Sequence, residues 1–385
     1  MKKISATTIY PITSEPIDSG LIITKDDGEI LEILNKENAE YEHLIKDALH
    51  IDGVICPGFI NAHCHLELSY LKGILPEKKG LVSFIKSLQK HRKTIDFQKI
   101  SDSIAMADSE MYDSGIVAVG DICNGTDSLY QKLKSRIYYQ SFIEVFAFSE
   151  SKAEAAFSEG LRIQKKFADR NLPCSLVPHA PYSTSIQLIK MISDYAALNQ
   201  AITCIHNQES EAENLLFQNK SGELIQMLKE FGINMDDFDA KKCSSLAYYH
   251  RFFNSSTHQM FVHNTYSNEQ DIKAASNKNV FWCLCPNANI FIENQLPKIE
   301  LFRNAGVSLT IGTDSLASNH QLCVWEEIKT IQKHYADIDL SEILEWGTIN
   351  GAKYLGIESR YGSLEKGKNP GLVAIENNNK PRRLI

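Results

Sequence analysis

Two histidines separated by one residue are the first sign of chemistry in this chain. They lie in the stretch PGFINAHCHLELSYLKG, which begins at Pro57. Residues i and i+2 of an extended strand point to the same side, so His63 and His65 could bind one ion together. A single pair of this kind is weak evidence, because a lone buried histidine is usually a hydrogen-bonded core residue.

Other polar residues end short apolar runs further along the chain. His206 ends the run AITCIHN, and Asp314 ends the run VSLTIGTDS. Imidazole nitrogens and a carboxylate suit zinc, with iron or manganese as the alternatives. We therefore predict one divalent metal bound by His63, His65, His206 and Asp314. The competing interpretation of Asp314 is a helix cap in GTDS.

Two more residues beside these ligands could carry out proton chemistry. Zinc in an open site lowers the pKa of a bound water towards neutrality and makes that water a nucleophile. Glu209 follows His206 by three residues and is placed to take a proton from the water and pass it to a leaving group. His263, in the apolar run QMFVHNTY, could hydrogen-bond the same water or a developing oxyanion. Asp314 is counted with Glu209 and His263 as catalytic.

These residues need a scaffold that brings distant runs together. Apolar, strand-like runs alternate with amphipathic segments such as SEGLRIQKKFADR and SIQLIKMISDYAALNQ. The alternation predicts an α/β fold of the (β/α)8 TIM-barrel type, in which the carboxyl ends of the strands form the mouth of the active site. The predicted strands are GFINAHCH, GIVAVGDIC, IYYQSFIEVFAF, CSLVPHAP, AITCIHN, QMFVHNTY, NVFWCLCPN and VSLTIGTDS.

The two ends of the chain have a β pattern instead, with turns predicted at Asp26-Asp27-Gly28 and at Asp52-Gly53. We expect residues 1–56 and 356–385 to form a small discontinuous β-sandwich domain around a hydrolase barrel of residues 57–355. An insertion at about residues 210–258 contains the predicted helix NKSGELIQMLKEFG. Because long insertions after a barrel strand are usually functional, we expect this one to shape the pocket.

Composition excludes several classes of protein. The formal net charge of −8 lacks the positive footprint that nucleic-acid binding needs. No apolar run approaches the roughly 18 residues of a membrane helix, and the N-terminus does not have the pattern of a secretory signal. The cysteines are odd in number without a CxxC pair, which predicts buried free thiols. We expect a cytoplasmic protein with a small heterocyclic substrate and water as partners, and a homodimer is left open.

Five motifs resemble signatures of the amidohydrolase superfamily: PGFINAHCH, PHAPYS, IHNQESE, FVHN and IGTDSLASN. They occur in the order of the family, over about residues 50 to 370. The nearest branch contains metal-dependent deaminases and chlorohydrolases. Within that branch, HLELS and TDSLASN look most like the 6-aminodeoxyfutalosine deaminases.

The resemblance implies the same metal ligands, with Glu209 moving protons and His263 contacting the metal-bound water. It also implies that His179, in PHAPYS, helps to hold the substrate. The fourth run lacks the lysine that two-metal members carry, which implies a single metal. Related adenosine deaminases look to use an arginine after the third strand for the substrate tail. The absence of one here argues against a carboxylate clamp at that position.

Two further residues are candidates for substrate contacts. Glu67 would share the side of His63 and His65 if the strand continued, and it could accept a hydrogen bond from a purine or a ribose. A structural salt bridge is the alternative for Glu67. Ser315 follows the ligand Asp314 and could line the site.

The resulting hypothesis is a zinc-dependent hydrolytic deaminase of an aminated purine nucleoside or related heterocycle, with 6-aminodeoxyfutalosine as one candidate. One rival is hydrolysis of a cyclic amide, or of a chlorinated or aminated triazine-like ring, by the same residues. Another rival is a barrel that binds a ligand without catalysis.

Overall fold

The computed structural model of the protein describes residues 1–92, 96–236, 238–376 and 379–385. The first part of the chain forms β-strands, as predicted, with one short helix before the last of them. The elements are β1 (Lys2–Ile9), β2 (Ile17–Asp18), β3 (Leu21–Thr24), β4 (Ile30–Leu34), α1 (Tyr41–Leu44) and β5 (Leu49–Pro57).

One of the two predicted turns is wrong. Gly28 lies between β3 and β4 with a φ of 95°, as the first turn requires. Asp52 and Gly53, however, lie inside β5. There the parallel register with β1 shifts between Ala6 and Thr8, so the extra residue of β5 forms a bulge instead of a turn.

Eight strands follow, one for each predicted run. Their side chains are almost all buried, as expected for parallel strands that are covered on both faces. The first parallel sheet contains β6 (Phe59–Cys64), β7 (Ile116–Cys123), β8 (Tyr138–Val145) and β9 (Cys174–Pro178). The second contains β10 (Thr203–Asn207), β11 (Gln259–His263), β12 (Val280–Leu284) and β13 (Ser308–Ile311).

Backbone hydrogen bonds connect the two sheets at both of their junctions. His206 N–H donates to the carbonyl of His179 at 2.9 Å, and Thr313 N–H donates to the carbonyl of His63 at 3.0 Å. Within the described ranges, the strand ladders form two sheets and not one continuous ring. The fold is therefore TIM-barrel-like α/β, and a closed barrel is not what the ladders show.

Helices connect the strands, and both predicted helices that flank β9 are present. Ser185 caps the second of them, since its hydroxyl accepts the N–H of Leu188. The helices are α2 (Leu81–Arg92), α3 (Phe97–Asp113), α4 (Leu129–Lys132), α5 (Ala153–Ala168), α6 (Ile186–Leu198), α7 (Glu211–Asn219), α8 (Glu223–Glu230), α9 (Ser245–Tyr249), α10 (Glu269–Ala275), α11 (Pro286–Glu293), α12 (Ile299–Asn304), α13 (Val324–His334), α14 (Leu340–Gly347) and α15 (Ile349–Leu355).

The C-terminal segment returns to the first sheet. The helical part ends at Gly356, whose φ of 70° closes α15, and the chain then forms β14 (Leu372–Glu376) and β15 (Pro381–Arg383). The terminal strands form one seven-stranded sheet in the order β15-β14-β5-β1-β3-β4, with β2 paired to β1. Strands from the two ends of the chain therefore pair in one sheet, while the discontinuous domain and the two layers of a sandwich stay predictions.

The nine cysteines are free thiols, in agreement with the sequence prediction. Among the described residues, no helix combines the length and the apolar character that crossing a membrane requires.

Candidate active site

The predicted metal ligands His63, His65, His206 and Asp314 lie together at the carboxyl ends of the barrel strands, and we call them the ligand cluster. Nε2 of His65 lies 3.1 Å from Nε2 of His63 and 3.2 Å from Nε2 of His206. Oδ1 of Asp314 lies 3.3 Å from Nε2 of His65 and 3.7 Å from Nε2 of His63. Ligand atoms about 2.1 Å from a tetrahedral zinc are about 3.4 Å apart, so these spacings fit one ion.

Burial sets the protonation of the ligand cluster. Burial and the facing imidazoles hold the pKa of His63 and of His65 well below the usual range, so both rings are neutral and offer a lone pair. Burial also raises the pKa of Asp314, although the hydroxyl of Ser318 donates to its Oδ2 at 2.5 Å. A divalent cation would relieve the crowding of lone pairs and the cost of the buried carboxylate. The donor set therefore fits a metal.

Backbone contacts aim the ligands at one another. The N–H groups of Thr313 and Asp314 donate to the carbonyl of His63 at 3.0 and 3.1 Å, and Asp314 has a φ of 57°. The ring of His206 places Nδ1 2.8 Å from the carbonyl of His179. Because a carbonyl only accepts, Nδ1 carries the proton, and Nε2 is free to face the other ligands.

Glu209 and His263 form a pair beside the ligand cluster. Oε1 of Glu209 lies 3.7 Å from Nε2 of His263. The side-chain amide of Asn289 lies 3.1 Å from Nδ1 of His263 and donates to it, so the neutral ring carries its proton on Nε2, towards Glu209. Burial, and next the charge of Asp314, raise the pKa of Glu209 well above its usual range.

Two of the predicted substrate contacts line the cavity above the ligand cluster. His179 does so with its Nδ1 2.5 Å from the hydroxyl of Ser183, and burial lowers its pKa to about 4. Ser315 also lines the cavity, and its hydroxyl lies 2.9 Å from that of Ser318.

Glu67 is elsewhere. The strand ends at Cys64 and a 3-10 helix begins at Leu66, so the alternation that aligned Glu67 with the histidines does not continue. Oε2 of Glu67 instead accepts the backbone N–H groups of Asn124 and Gly125 at 3.0 and 3.2 Å. The side chain is not part of the cavity wall, and burial raises its pKa to about 7.

The cavity wall also carries polar residues that the sequence interpretation missed. Oε1 of Glu144 lies 3.5 Å from Nδ1 of His206, and its Oε2 accepts the amide of Asn124 at 2.6 Å. Arg92, from α2, donates to Oδ1 of Asn124 at 2.7 Å. The signal available for Glu144 was a lone charge inside the apolar run IYYQSFIEVFAF.

The cavity has a volume of about 1340 Å³ and extends well beyond the ligand cluster. Its outer part contains aromatic side chains that we call the aromatic chamber: Phe148, Phe217, Phe238 and Tyr248. Neighbouring rings in the chamber have centroids 5.7 to 5.8 Å apart. All of these residues except Phe148 belong to the insertion after β10, which therefore shapes the pocket as expected.

Fold and site together define a class of protein, a TIM-barrel-like hydrolase with a histidine- and aspartate-lined centre. The model of the "Amidohydrolase family" matches residues 54–384, so the chain belongs to the amidohydrolase family. The family and the deaminases among its relatives make this chain a hydrolase that acts on carbon–nitrogen bonds.

Among known relatives, an aminodeoxyfutalosine deaminase of Nitratiruptor sp. is 26% identical over 84% of this chain and 79% of its own length. The crystal structure of Helicobacter pylori aminofutalosine deaminase in complex with methylthio-coformycin superposes on this chain with a TM-score of 0.82. The two sequences are 25% identical, and the match covers 99% of this chain and 93% of the Helicobacter pylori chain. A Xanthomonas campestris adenosine deaminase with bound zinc has a TM-score of 0.72 at 20% identity, over 97% of this chain and 84% of its own, and shows the fold alone.

Proposed function

We propose that this protein is a metal-dependent hydrolytic deaminase that releases ammonia from an aminated purine nucleoside. The observation that carries the proposal is the pair of Glu209 and His263, 3.7 Å apart, at the side of the ligand cluster. The deaminase activities of the Nitratiruptor and Helicobacter pylori relatives support the same reaction class.

The ligand cluster would hold one divalent metal, which we propose to be zinc, with Fe²⁺ or Mn²⁺ as alternatives. Such an ion, when bound, would lower the pKa of a water molecule and supply a nucleophile at neutral pH. The carbonyl of His179 keeps the ring of His206 in the orientation that binding needs, through its bond to Nδ1.

Glu209 is the proposed proton carrier. Water adds across the ring C=N bond, with its oxygen on the carbon that bears the amine and one of its protons on the neighbouring ring nitrogen. The bond from that carbon to the amine then breaks, and ammonia leaves with the second proton, which Glu209 takes from the water. The raised pKa of Glu209 suits a group that must hold this proton between the two transfers. The Nε2–H of His263 would donate to the oxygen of the attacking water and so hold that oxygen in place as the tetrahedral intermediate forms.

The substrate would lie between the ligand cluster and the aromatic chamber. We propose that His179 and Ser315 contact its heterocycle, since both line the cavity near the ligands. The volume of about 1340 Å³ exceeds the range of roughly 300–1,000 Å³ usual for small-molecule pockets. A nucleoside with a large aromatic substituent, such as 6-aminodeoxyfutalosine, would use this space.

The test is ammonia release by the zinc-loaded protein from adenosine, methylthioadenosine, 6-aminodeoxyfutalosine, pterins and triazines. We expect release from at least one adenine nucleoside, its loss on chelation, and its return with added zinc. Ammonia from triazine or pterin rings alone would overturn the substrate class. No release from any ring, with tight binding of a nucleoside, would favour a binding protein.

We also infer the finer organisation of the chain. The parallel sheets would form one barrel of residues 57–355, supported by the hydrogen bonds at both junctions. Residues 1–56 and 356–385 would be the two parts of the smaller domain, supported by the pairing of β14 with β5.

A further inference from the structure

The residue before the proposed proton carrier has an unusual backbone. Gln208 is fully buried and has a φ of 45°, in the left-handed region that residues other than glycine seldom adopt. This turn ends β10 and directs Glu209 towards His263. A glycine would adopt the same φ without steric cost, so the turn alone does not require a glutamine.

The side-chain amide of Gln208 has partners for all of its polar groups. Its Nε2 donates to Oδ1 of Asn214 at 3.0 Å and to Oδ2 of Asp271 at 2.9 Å. Its Oε1 accepts the hydroxyl of Ser267 at 2.5 Å. These partners belong to α7, to α10 and to the loop after β11, so one amide connects the turn to separate parts of the fold.

Hydrogen bonds also fix the backbone of Gln208. Its N–H donates to Oε1 of Glu213 at 3.0 Å, and its carbonyl accepts the N–H of Tyr266 at 3.0 Å. The hydroxyl of Ser245 donates to the same Glu213 oxygen, and the hydroxyl of Ser244 donates to Asp271. Both serines lie at the start of α9. The insertion is therefore connected to the turn at Gln208 by buried hydrogen bonds through Glu213 and Asp271.

We propose that Gln208 is a positioning residue for Glu209, with the insertion supplying part of its support. The inference rests on the proposed function, which assigns proton transfer to Glu209. Because no other residue separates the two, any change in the turn at Gln208 moves the Glu209 carboxyl group relative to His263. Displacement of a reacting group by about 1 Å can cost about a hundredfold in rate.

The experiment compares Q208G, Q208N and a control with the wild type. Q208G keeps the backbone freedom of the turn but removes the amide, and Q208N keeps an amide that is too short to reach all partners. The control is Q140N, since Gln140 is a buried glutamine on β8 whose amide donates to Ser175 at 3.3 Å, outside the cavity wall. The assays are steady-state deamination in H₂O and D₂O, metal content and melting temperature.

We expect kcat to fall about a hundredfold in Q208G and less in Q208N, with KM and metal content within about twofold of wild type. The solvent deuterium isotope effect on kcat should increase, because transfer through a misplaced carboxyl group becomes the slow step. Q140N should keep the wild-type kcat.

A kcat of Q208G within about threefold of wild type, despite a lower melting temperature, would overturn the inference. Loss of metal in proportion to activity would also overturn it, because Gln208 would then support metal binding. Failure of both Gln208 variants to fold would overturn it as well, because the residue would then be needed for folding. The variant E209Q separates the two proposals. If E209Q loses turnover while Q208G keeps it, only the positioning role fails. If E209Q keeps turnover, the role of Glu209 fails first.

Discussion

At the scale of single residues, the chemistry depends on a buried carboxyl group that faces an imidazole N–H. Glu209 is 5% exposed, and its Oε1 lies 3.7 Å from Nε2 of His263. The amide of Asn289 fixes which nitrogen of His263 carries the proton. This is the arrangement that the proposed proton transfer requires.

We expect E209Q to lower kcat by roughly 10²- to 10⁴-fold, because glutamine keeps the volume of the side chain but cannot carry a proton between water and amine. Metal content should not change, since Glu209 is outside the ligand cluster. Ammonia release and metal analysis on the same samples measure both. The control is E211Q, an exposed acid at the start of α7. Wild-type turnover by E209Q would refute the role.

Residue identity and strand position were enough to predict the ligand cluster, because each ligand ends an apolar run. They were not enough for Glu144, Asn124 and Arg92, which come together only through contacts between β8, the loop after β7 and α2. Spacing along the chain carries no information about such contacts. Ser318, which supports Asp314, was hidden for the same reason.

At the scale of elements, the 3-10 helix Leu66–Leu71 explains the behaviour of Glu67. This helix turns the side chain away from the cavity and into the backbone N–H groups that follow β7. The sequence prediction extended a strand by two residues too many, because the period of a strand does not reveal where the strand ends. For the same reason, the sequence predicted a turn at Asp52-Gly53, although these residues lie inside β5.

Glu67 should make the stability of the protein depend on pH. Its pKa of about 7 in the folded protein exceeds the value of about 4.3 in an unfolded chain. The folded state therefore holds the proton more tightly. The stabilisation is complete below about pH 4 and is lost as pH rises through 7. Between pH 5 and pH 8, this group should lower the free energy of unfolding by roughly 2 kcal/mol.

E67Q should lack that decrease, because glutamine does not ionise. Denaturant unfolding at the two pH values gives the difference between variant and wild type, with the exposed acid variant E154Q as control. KM should not change in E67Q. Parallel pH dependence in E67Q and wild type would disprove the buried ionisation, and a raised KM would return Glu67 to the substrate site.

At the scale of the whole molecule, the cavity joins two kinds of wall. The barrel strands supply the polar part, and the insertion after β10 supplies most of the aromatic chamber. The sequence indicated that the insertion matters but not where it packs, because the hydrogen bonds that Ser244 and Ser245 make near the Glu209 turn form only once the chain has folded. The strand order of the terminal sheet could not be predicted from the sequence either, because this sheet pairs residues more than 300 positions apart.

The aromatic chamber should select nucleosides with a large aromatic substituent. We expect F148A to raise KM about tenfold for 6-aminodeoxyfutalosine, because an aromatic contact contributes about 0.5–1.5 kcal/mol beyond its buried area. KM for adenosine should stay within about twofold, since adenosine lacks such a substituent. F157A is the control, because Phe157 lies on α5 in edge-to-face contact with Tyr195. An equal rise for both substrates would contradict the assignment.

The most direct test of the central claim follows the oxygen atom. The zinc-loaded protein is incubated in H₂¹⁸O with the adenine nucleoside that releases ammonia fastest, and the product is analysed by mass spectrometry. Hydrolytic deamination predicts one ¹⁸O atom on the ring carbon that lost the amine, with one ammonia released per product. A product without the label, or ammonia released without change at that carbon, would contradict it.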